Sequence, residues 1–74
     1  DGNYRFTDIR IDNLMDFIRK KYRVEMELGQ GVNHGLLLTG TIRNDESVEA
    51  VIEKICFSSQ LTYKKNDSYY LLMK

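Results

Sequence analysis

The side chains of this chain that could carry out chemistry are few, and they lie far apart in the sequence. His34 is the single histidine and Cys56 the single cysteine. Neither has a second metal ligand at the spacing of a zinc site. Cys56 also falls on an apolar helical stripe, where a thiol behaves as a small buried hydrophobe and a weak nucleophile. We therefore predict no metal site and no catalytic pair formed by His34 and Cys56.

The segment around His34 has a partial likeness to a phosphate-binding loop. It contains Gly29, Gly31 and Gly35, but the spacing of these glycines differs from the GxGxxG fingerprint by one residue. Phosphate loops also lead into a helix, whose first-turn amides bind the anion, whereas this segment leads into an apolar strand. We interpret it as a flexible loop. It is the one feature that favours a small-molecule sensor.

The acidic side chains do not form a catalytic arrangement either. They are spread over predicted strands and helix surfaces, and none lies in an apolar setting that would raise its pKa into the range of acid–base catalysis. We therefore predict that the protein is not an enzyme and has no catalytic or cofactor-binding residues. Eleven acidic residues balance eleven basic ones, so no net charge favours nucleic acid or anionic lipid. The longest apolar runs are far shorter than the roughly 20 residues of a membrane span.

The elements that must position these residues occur twice. A shift of 37 positions superposes the two apolar helical stripes, aligning Ile11 with Val48, Leu14 with Val51, Met15 with Ile52 and Ile18 with Ile55. Val24 and Met26, in an alternating strand, then align with Leu61 and Tyr63. The pattern predicts a duplicated βαβ unit in an α+β fold, with the order βαββαββ and two helices packed against small sheets. Seventy-four residues suffice for one domain, spanning 1–74.

The bounds of these elements follow from the same patterns. Strands are predicted at residues 4–6, 23–28, 36–43, 61–65 and 69–73, and helices at 9–22 and 46–57. Asp8 is predicted to end the first strand and cap the first helix, because an aspartate at this position accepts hydrogen bonds from first-turn amides. Asn44 and Asp45 are predicted to cap the second helix. Residues 66–68 have the composition of a hairpin turn.

The last predicted strand, Tyr69–Met73, is apolar at every position. Either the fold covers both of its faces, or one face binds a partner. Our hypothesis for partner binding names Tyr69, Tyr70 and Leu72, with an exposed sheet edge, such as the terminal strand, pairing with a strand of the partner. On this hypothesis a charged residue at Tyr70 weakens partner binding and leaves the fold intact.

The same order of elements occurs in RNA-recognition motifs, which belong to another functional class. Those domains stack bases on aromatic residues of the third strand, within a basic surround. The third predicted strand here, at residues 36–43, has no aromatic residue, and the net charge is zero. The sequence therefore argues against nucleic acid as a partner.

Several segments together resemble the C-terminal domain of FecR-like anti-sigma regulators. They are residues 6–14, the alternating residues 24–28, Gly40-Thr41-Ile42-Arg43-Asn44, Glu46-Ser47-Val48-Glu49 and Leu61-Thr62-Tyr63. The resemblance covers residues 4–73, and no single motif in it is catalytic. It departs from the family at Ser59-Gln60, where a glycine commonly precedes the Leu-x-Tyr strand. The short N-terminal (STN) domains of secretins and TonB-dependent transporters share the duplicated plan.

This resemblance implies a periplasmic domain of a single-span inner-membrane protein, of which the chain is one module. Such a domain senses a TonB-dependent outer-membrane transporter through the transporter's signalling domain. A cytoplasmic part outside this chain handles an extracytoplasmic-function sigma factor. The resemblance implies no cofactor and no direct membrane contact by this domain. The alternative is the signalling domain of a transporter or a periplasmic domain of a secretin. An apolar span upstream favours the regulator, and a transporter or secretin sequence downstream favours the alternative.

Overall fold

The computed structural model describes residues 2–74 and has the α+β architecture and the βαββαββ order expected from the sequence. The elements, in chain order, are β1 (Tyr4–Arg10), α1 (Ile11–Tyr22), β2 (Glu25–Leu28), β3 (Leu37–Ile42), α2 (Val48–Ser59), β4 (Thr62–Asn66) and β5 (Tyr69–Met73). The strand β5 has the predicted bounds, and the other elements differ from prediction by a few residues at one or both ends.

The five strands form two sheets in which the two repeats interlock. In the two-stranded sheet β1 pairs antiparallel with β3. In the three-stranded sheet β5 lies in the centre, parallel to β2 and antiparallel to β4. Helix α1 packs against β1 and β2, and α2 packs against β3 and β4. Each repeat therefore places its first strand in one sheet and its second strand in the other.

The helices reproduce the predicted duplication residue for residue. Each has 12 residues, and the shift of 37 that superposes their stripes also superposes their ends. The residues that follow them, Arg23 and Gln60, both adopt the left-handed conformation, with φ of 56° and 59°. The main-chain N–H that follows Gln60, from Leu61, donates to the Cys56 carbonyl at 2.9 Å. The two repeats thus end their helices by the same left-handed turn, without a glycine.

The first strand differs from prediction because it continues past Asp8. Strand β1 runs to Arg10, which is the N-cap of α1 and makes no side-chain capping hydrogen bond. Asp8 instead adopts a positive φ of 50° within the strand, and its N–H donates to Thr39 Oγ1 at 2.9 Å. The prediction that Asp8 ends the strand and caps the helix is therefore wrong.

The physical reason is a bulge in the ladder between β1 and β3. Phe6 pairs with Gly40 and Ile9 pairs with Leu38, and the register shifts between these pairs. Phe6 and Ile9 both pack against the core, although three-residue spacing would place them on opposite faces of a regular strand. An extra residue with a left-handed conformation restores the alternation, and Asp8 tolerates that conformation better than most residues.

The second helix also begins later than predicted. Ser47 is the N-cap, and its Oγ accepts the N–H of Ala50 at 3.1 Å. Glu46, predicted to lie in the first helical turn, precedes the helix, and its carboxylate accepts the Arg43 N–H at 2.8 Å and pairs with Lys54 Nζ at 2.8 Å. Asn44 and Asp45 are exposed and neither is the cap, so that prediction is wrong. Ser47 is the cap because Asn44 and Asp45 lie within the turn that the Glu46 carboxylate closes on the Arg43 N–H.

The core lies between the helices and the inner faces of the sheets. It consists of the apolar stripes predicted from helical spacing, inward-facing strand residues and two residues of the connecting segments: Ile11, Leu14, Met15, Ile18, Met26, Val32, Leu38, Ile42, Val51, Ile52, Ile55, Cys56, Leu61, Tyr70 and Leu72. No polar or charged residue within 2–74 is buried. Each large apolar side chain removed from water contributes roughly 1.5–3 kcal/mol, so the stripes on the helices dominate the stability of this small domain.

Candidate partner-binding surface

Strand β5, which carries the predicted partner-binding residues, is not a sheet edge. Its residues pair with β2 on one side, from Glu25 with Tyr69 to Leu28 with Leu72, and with β4 on the other. Both rows of its main-chain groups are thus engaged. Strand addition by a partner needs an unpaired edge, so the terminal strand cannot be the paired strand. The strands with an open side are β1, β2, β3 and β4.

The structure separates the three predicted residues by face. Tyr70 is 3% exposed and Leu72 is fully buried, and the Tyr70 hydroxyl bonds to Glu49 Oε2 on α2 at 3.3 Å. Tyr69 is half-buried on the opposite face. The expectation that a charge at Tyr70 leaves the fold intact conflicts with this burial, because an unpaired charge inside a core is strongly destabilising. Partner binding by the three residues stays a prediction, and only Tyr69 is placed at the surface.

The face of the three-stranded sheet opposite to the helices has an apolar centre. Tyr69, Leu71 and Met73 alternate with the buried residues of β5 and are half-buried. We call these three residues, with their flanking neighbours on β2 and β4, the outer face. The flanking residues are Glu25, Glu27, Thr62, Lys64 and Asn66, all exposed. The sequence pattern missed Leu71 and Met73, because β5 is apolar at every position and gives no sign of which residues face inward.

The charges on the outer face are segregated by strand. Glu27 pairs with Leu71 on the β2 side, and Lys64 pairs with the same residue on the β4 side. The Tyr69 hydroxyl donates to Glu27 Oε1 at 2.7 Å, and this hydrogen bond is the main cause that raises the pKa of Tyr69. The outer face is therefore an apolar strip between an acidic and a basic border. A partner with an apolar centre and the opposite charge order complements it.

The remaining chemically distinctive residues are not assembled into a reactive site. Cys56 is 7% exposed, and burial, followed by the charge of Glu53, raises the pKa of its thiol. His34 is exposed in the loop after β2. Residues 2–74 contain no group of three or more histidine, cysteine, aspartate or glutamate side chains positioned to hold a metal ion. Over the same residues, neither helix is long and apolar enough to span a membrane.

His34 does contribute to a groove on another part of the surface. This groove has a volume of about 410 Å³ and lies between α1, β2 and the loop after β2. Its lining consists of Asp12, Met15, Arg19, Met26, Glu27, Leu28 and His34. We call it the α1–β2 groove. Sequence reasoning treated the glycine loop by itself and missed the groove, because the helix and strand that complete it meet only in the fold.

Comparison with known proteins gives a consistent result. The family model described as FecR, C-terminal, matches residues 3–71. Two crystal structures of a candidate anti-sigma factor from Parabacteroides distasonis ATCC 8503, at 1.65 Å and 2.50 Å resolution, are similar in fold, each with a TM-score of 0.86. Their sequences are 27% and 26% identical to this one over 99% of this chain and 34% of theirs. The chain thus spans about a third of the length of those proteins. No curated protein sequence matches it.

Proposed function

This chain belongs to the FecR C-terminal family, and we propose that it is the sensing domain of an anti-sigma regulator. In this proposal the domain lies in the periplasm and binds the signalling domain of a TonB-dependent outer-membrane transporter. A further part of the regulator, in the cytoplasm, controls an extracytoplasmic-function sigma factor. The observation that carries the proposal is the family match over residues 3–71, supported by the likeness to a candidate anti-sigma factor.

The outer face is the surface that we propose for the transporter contact. It holds a continuous apolar strip in the middle of a sheet whose other side already packs on the core. Exposed apolar strips with polar borders are typical of protein-binding sites. The acidic border at Glu25 and Glu27 and the basic border at Lys64 fix the orientation of a partner, because a reversed partner brings like charges together.

The test is calorimetric titration of the 74-residue domain with the purified signalling domain of a TonB-dependent transporter encoded beside it in the source genome. Leu71→Lys places a charge in the apolar strip and should weaken binding about tenfold or more, as loss of a central contact does. Leu37→Lys is the matched control, since Leu37 is 54% exposed and lies on the other sheet. Circular dichroism should show both variants folded.

Two outcomes contradict the proposal in different ways. If no such signalling domain binds the unmodified chain, the proposed partner is wrong. If the two leucine variants weaken binding equally, or neither does, the partner is right and the outer face is not the contact. Recovery of secretion-machine components instead of a transporter from periplasmic and outer-membrane extract would favour a secretin-like role.

A further inference from the structure

We propose that the α1–β2 groove binds an extended segment of a protein partner and takes up a cationic side chain, lysine or arginine, from that segment. The site is distinct from the centre of the outer face, although Glu27 contributes to both. The inference rests on the proposed function only in so far as both require a protein partner. Three features of the groove support it: an open strand edge, an apolar floor and an unused carboxylate oxygen.

The open strand edge belongs to β2. The N–H groups of Glu25 and Gly29 donate to Ser68 and Leu72 carbonyls at 3.0 Å and 2.7 Å, so alternate residues of β2 face β5. By the geometry of a parallel ladder, the main-chain groups of Met26 and Leu28 point to the other side. The Met26 carbonyl already accepts a hydrogen bond from Arg19 Nη1 at 2.8 Å. This edge therefore binds a guanidinium group within the domain itself.

The floor of the groove suits a long aliphatic stem. Met15, Met26 and Leu28 line it, and Met15 and Met26 are each 2% exposed. Methionine side chains are flexible and adapt to irregular apolar partners. Lysine and arginine bury their methylene groups against such surfaces while their charged ends reach polar groups. The volume of about 410 Å³ has room for one long side chain and the main chain that carries it.

The charges of the groove select a cation. Asp12 Oδ1 is buried and has no hydrogen-bond partner within residues 2–74, while Oδ2 pairs with Arg10 Nη2 at 2.9 Å. Leaving a charged acceptor unsatisfied is costly, and Asp12 belongs to the lining of the groove. Glu27 also lines the groove, while its Oε1 accepts the Tyr69 hydroxyl on the outer face. Arg19, which also lines the groove, is already bonded to Asp16 and to the Met26 carbonyl, so Asp12 Oδ1 is the acceptor that we assign to the cation of a ligand.

The probe for this site is a pair of capped pentapeptides that differ in one side chain. One has a central arginine flanked by threonine and valine, which favour an extended conformation, and the other has citrulline, the neutral isostere of arginine. Each is titrated into the isotopically labelled 74-residue chain and followed by amide NMR. We expect the arginine peptide to shift the amides of Met15, Met26 and Leu28 and to bind about tenfold more tightly than the citrulline peptide, since charged hydrogen bonds are the stronger ones.

Three variants identify the groove as the source of the preference. Asp12→Asn should abolish most of the preference for arginine, whereas Asp12→Glu, which keeps the charge, should retain it. Asp45→Asn is the matched control, because Asp45 is an exposed carboxylate paired with Arg43 at 3.8 Å, outside the groove. A merely structural role of Asp12 predicts equal effects of its two variants on binding.

The inference is overturned if the arginine peptide shifts no amide of the groove, if citrulline binds equally well, or if Asp12→Asn keeps the full preference. Its failure is distinguishable from that of the proposed function. Binding of a transporter signalling domain without binding of the arginine peptide removes this inference alone. Binding of the peptide in the groove without any transporter partner removes the proposed function and leaves the groove assignment standing.

Discussion

The hydroxyl of Tyr22 donates a hydrogen bond of 2.9 Å to the main-chain carbonyl of Glu46. Tyr22 is the last residue of α1, and Glu46 lies in the turn before α2, so this contact joins the two repeats outside their shared sheets. Burial, followed by the negative charge of Glu46, raises the pKa of Tyr22. The Glu46 carboxylate meanwhile holds the Arg43 N–H and Lys54 Nζ. Glu46 thus stabilises the turn before α2 with its carboxylate and binds the last residue of α1, in the first repeat, with its main-chain carbonyl.

Removing the Tyr22 hydroxyl should lower the stability of the whole domain. We expect Tyr22→Phe to reduce the free energy of unfolding by about 1 kcal/mol, the typical value for a hydrogen bond whose acceptor loses its partner. Urea denaturation followed by circular dichroism measures this change. Tyr69→Phe is the matched control, because its hydroxyl bonds to Glu27 on the exposed outer face, and we expect its stability to be unchanged. Equal losses in the two variants would contradict a specific role for the contact between Tyr22 and Glu46.

Glu46 should make the domain sensitive to acid. The carboxyl of Glu46 accepts hydrogen bonds from Lys54 and from the Arg43 N–H. Both bonds lower its pKa in the folded state, and the bond from Lys54 has the larger effect. Since the folded pKa lies below the unfolded value, the stabilisation is present above about pH 4.3 and is lost as pH falls through the folded pKa. Glu46→Gln should therefore cost about 1 kcal/mol near neutral pH and progressively less in acid. Urea denaturation of both proteins over this range tests it, and a pH-independent difference would refute it.

Cys56 should be protected from thiol reagents in the folded protein. It is 7% exposed, and burial and Glu53 raise the pKa of its thiol, so both access and thiolate fraction are low. We expect a disulfide-exchange reagent such as Ellman's reagent to react at the rate of transient unfolding and to react at once in strong urea. Ser58→Cys provides an exposed comparison on the same helix. Fast reaction of the native cysteine without denaturant would show that α2 is less firmly packed than the structure indicates.

The bulge at Asp8 should be selective for residues that tolerate a positive φ. We expect Asp8→Gly to leave the free energy of unfolding within about 0.5 kcal/mol of the original. Asp8→Val should lower it by about 1–2 kcal/mol, because a β-branched side chain clashes in the left-handed region. Thr7→Val is the control, since Thr7 is the exposed neighbour in the same strand and valine suits a regular strand. Denaturant titration of the three variants measures these free energies of unfolding. An Asp8→Val protein as stable as the original would mean that the bulge is absent.

The sequence was sufficient to predict the helices and their repetition. Apolar residues at helical spacing from Ile11 to Ile18 and from Val51 to Ile55 are buried as expected, and Val48 is half-buried against the core, because helical periodicity is a local signal. The bulge was not predictable in the same way. Asp8 suits a helix N-cap and a left-handed strand position equally well. The choice between them is decided by pairing with Thr39 on a distant strand, which a single sequence does not display.

The candidate surface was predictable in part. The uniform apolarity of β5 drew attention to this strand, but alternation along a strand has a phase, and five apolar residues in a row leave the phase open. The structure fixes it through α2, whose Glu49 receives the Tyr70 hydroxyl and so turns Tyr69, Leu71 and Met73 outward. The α1–β2 groove lay beyond sequence reasoning, since Asp12, Met26 and His34 share no local pattern.

The central position of β5 also bears on how the domain is made. The strands β2 and β4 have no ladder between them and are joined only through β5, which follows both in the chain. During synthesis on the ribosome, the three-stranded sheet therefore has to wait until residues 69–73 have left the exit tunnel. Until then the inner faces of α1 and α2 lack the side chains of Tyr70 and Leu72. Folding is thereby held back to the end of translation of this domain, and a nascent chain halted before β5 exposes apolar surface to chaperones and proteases.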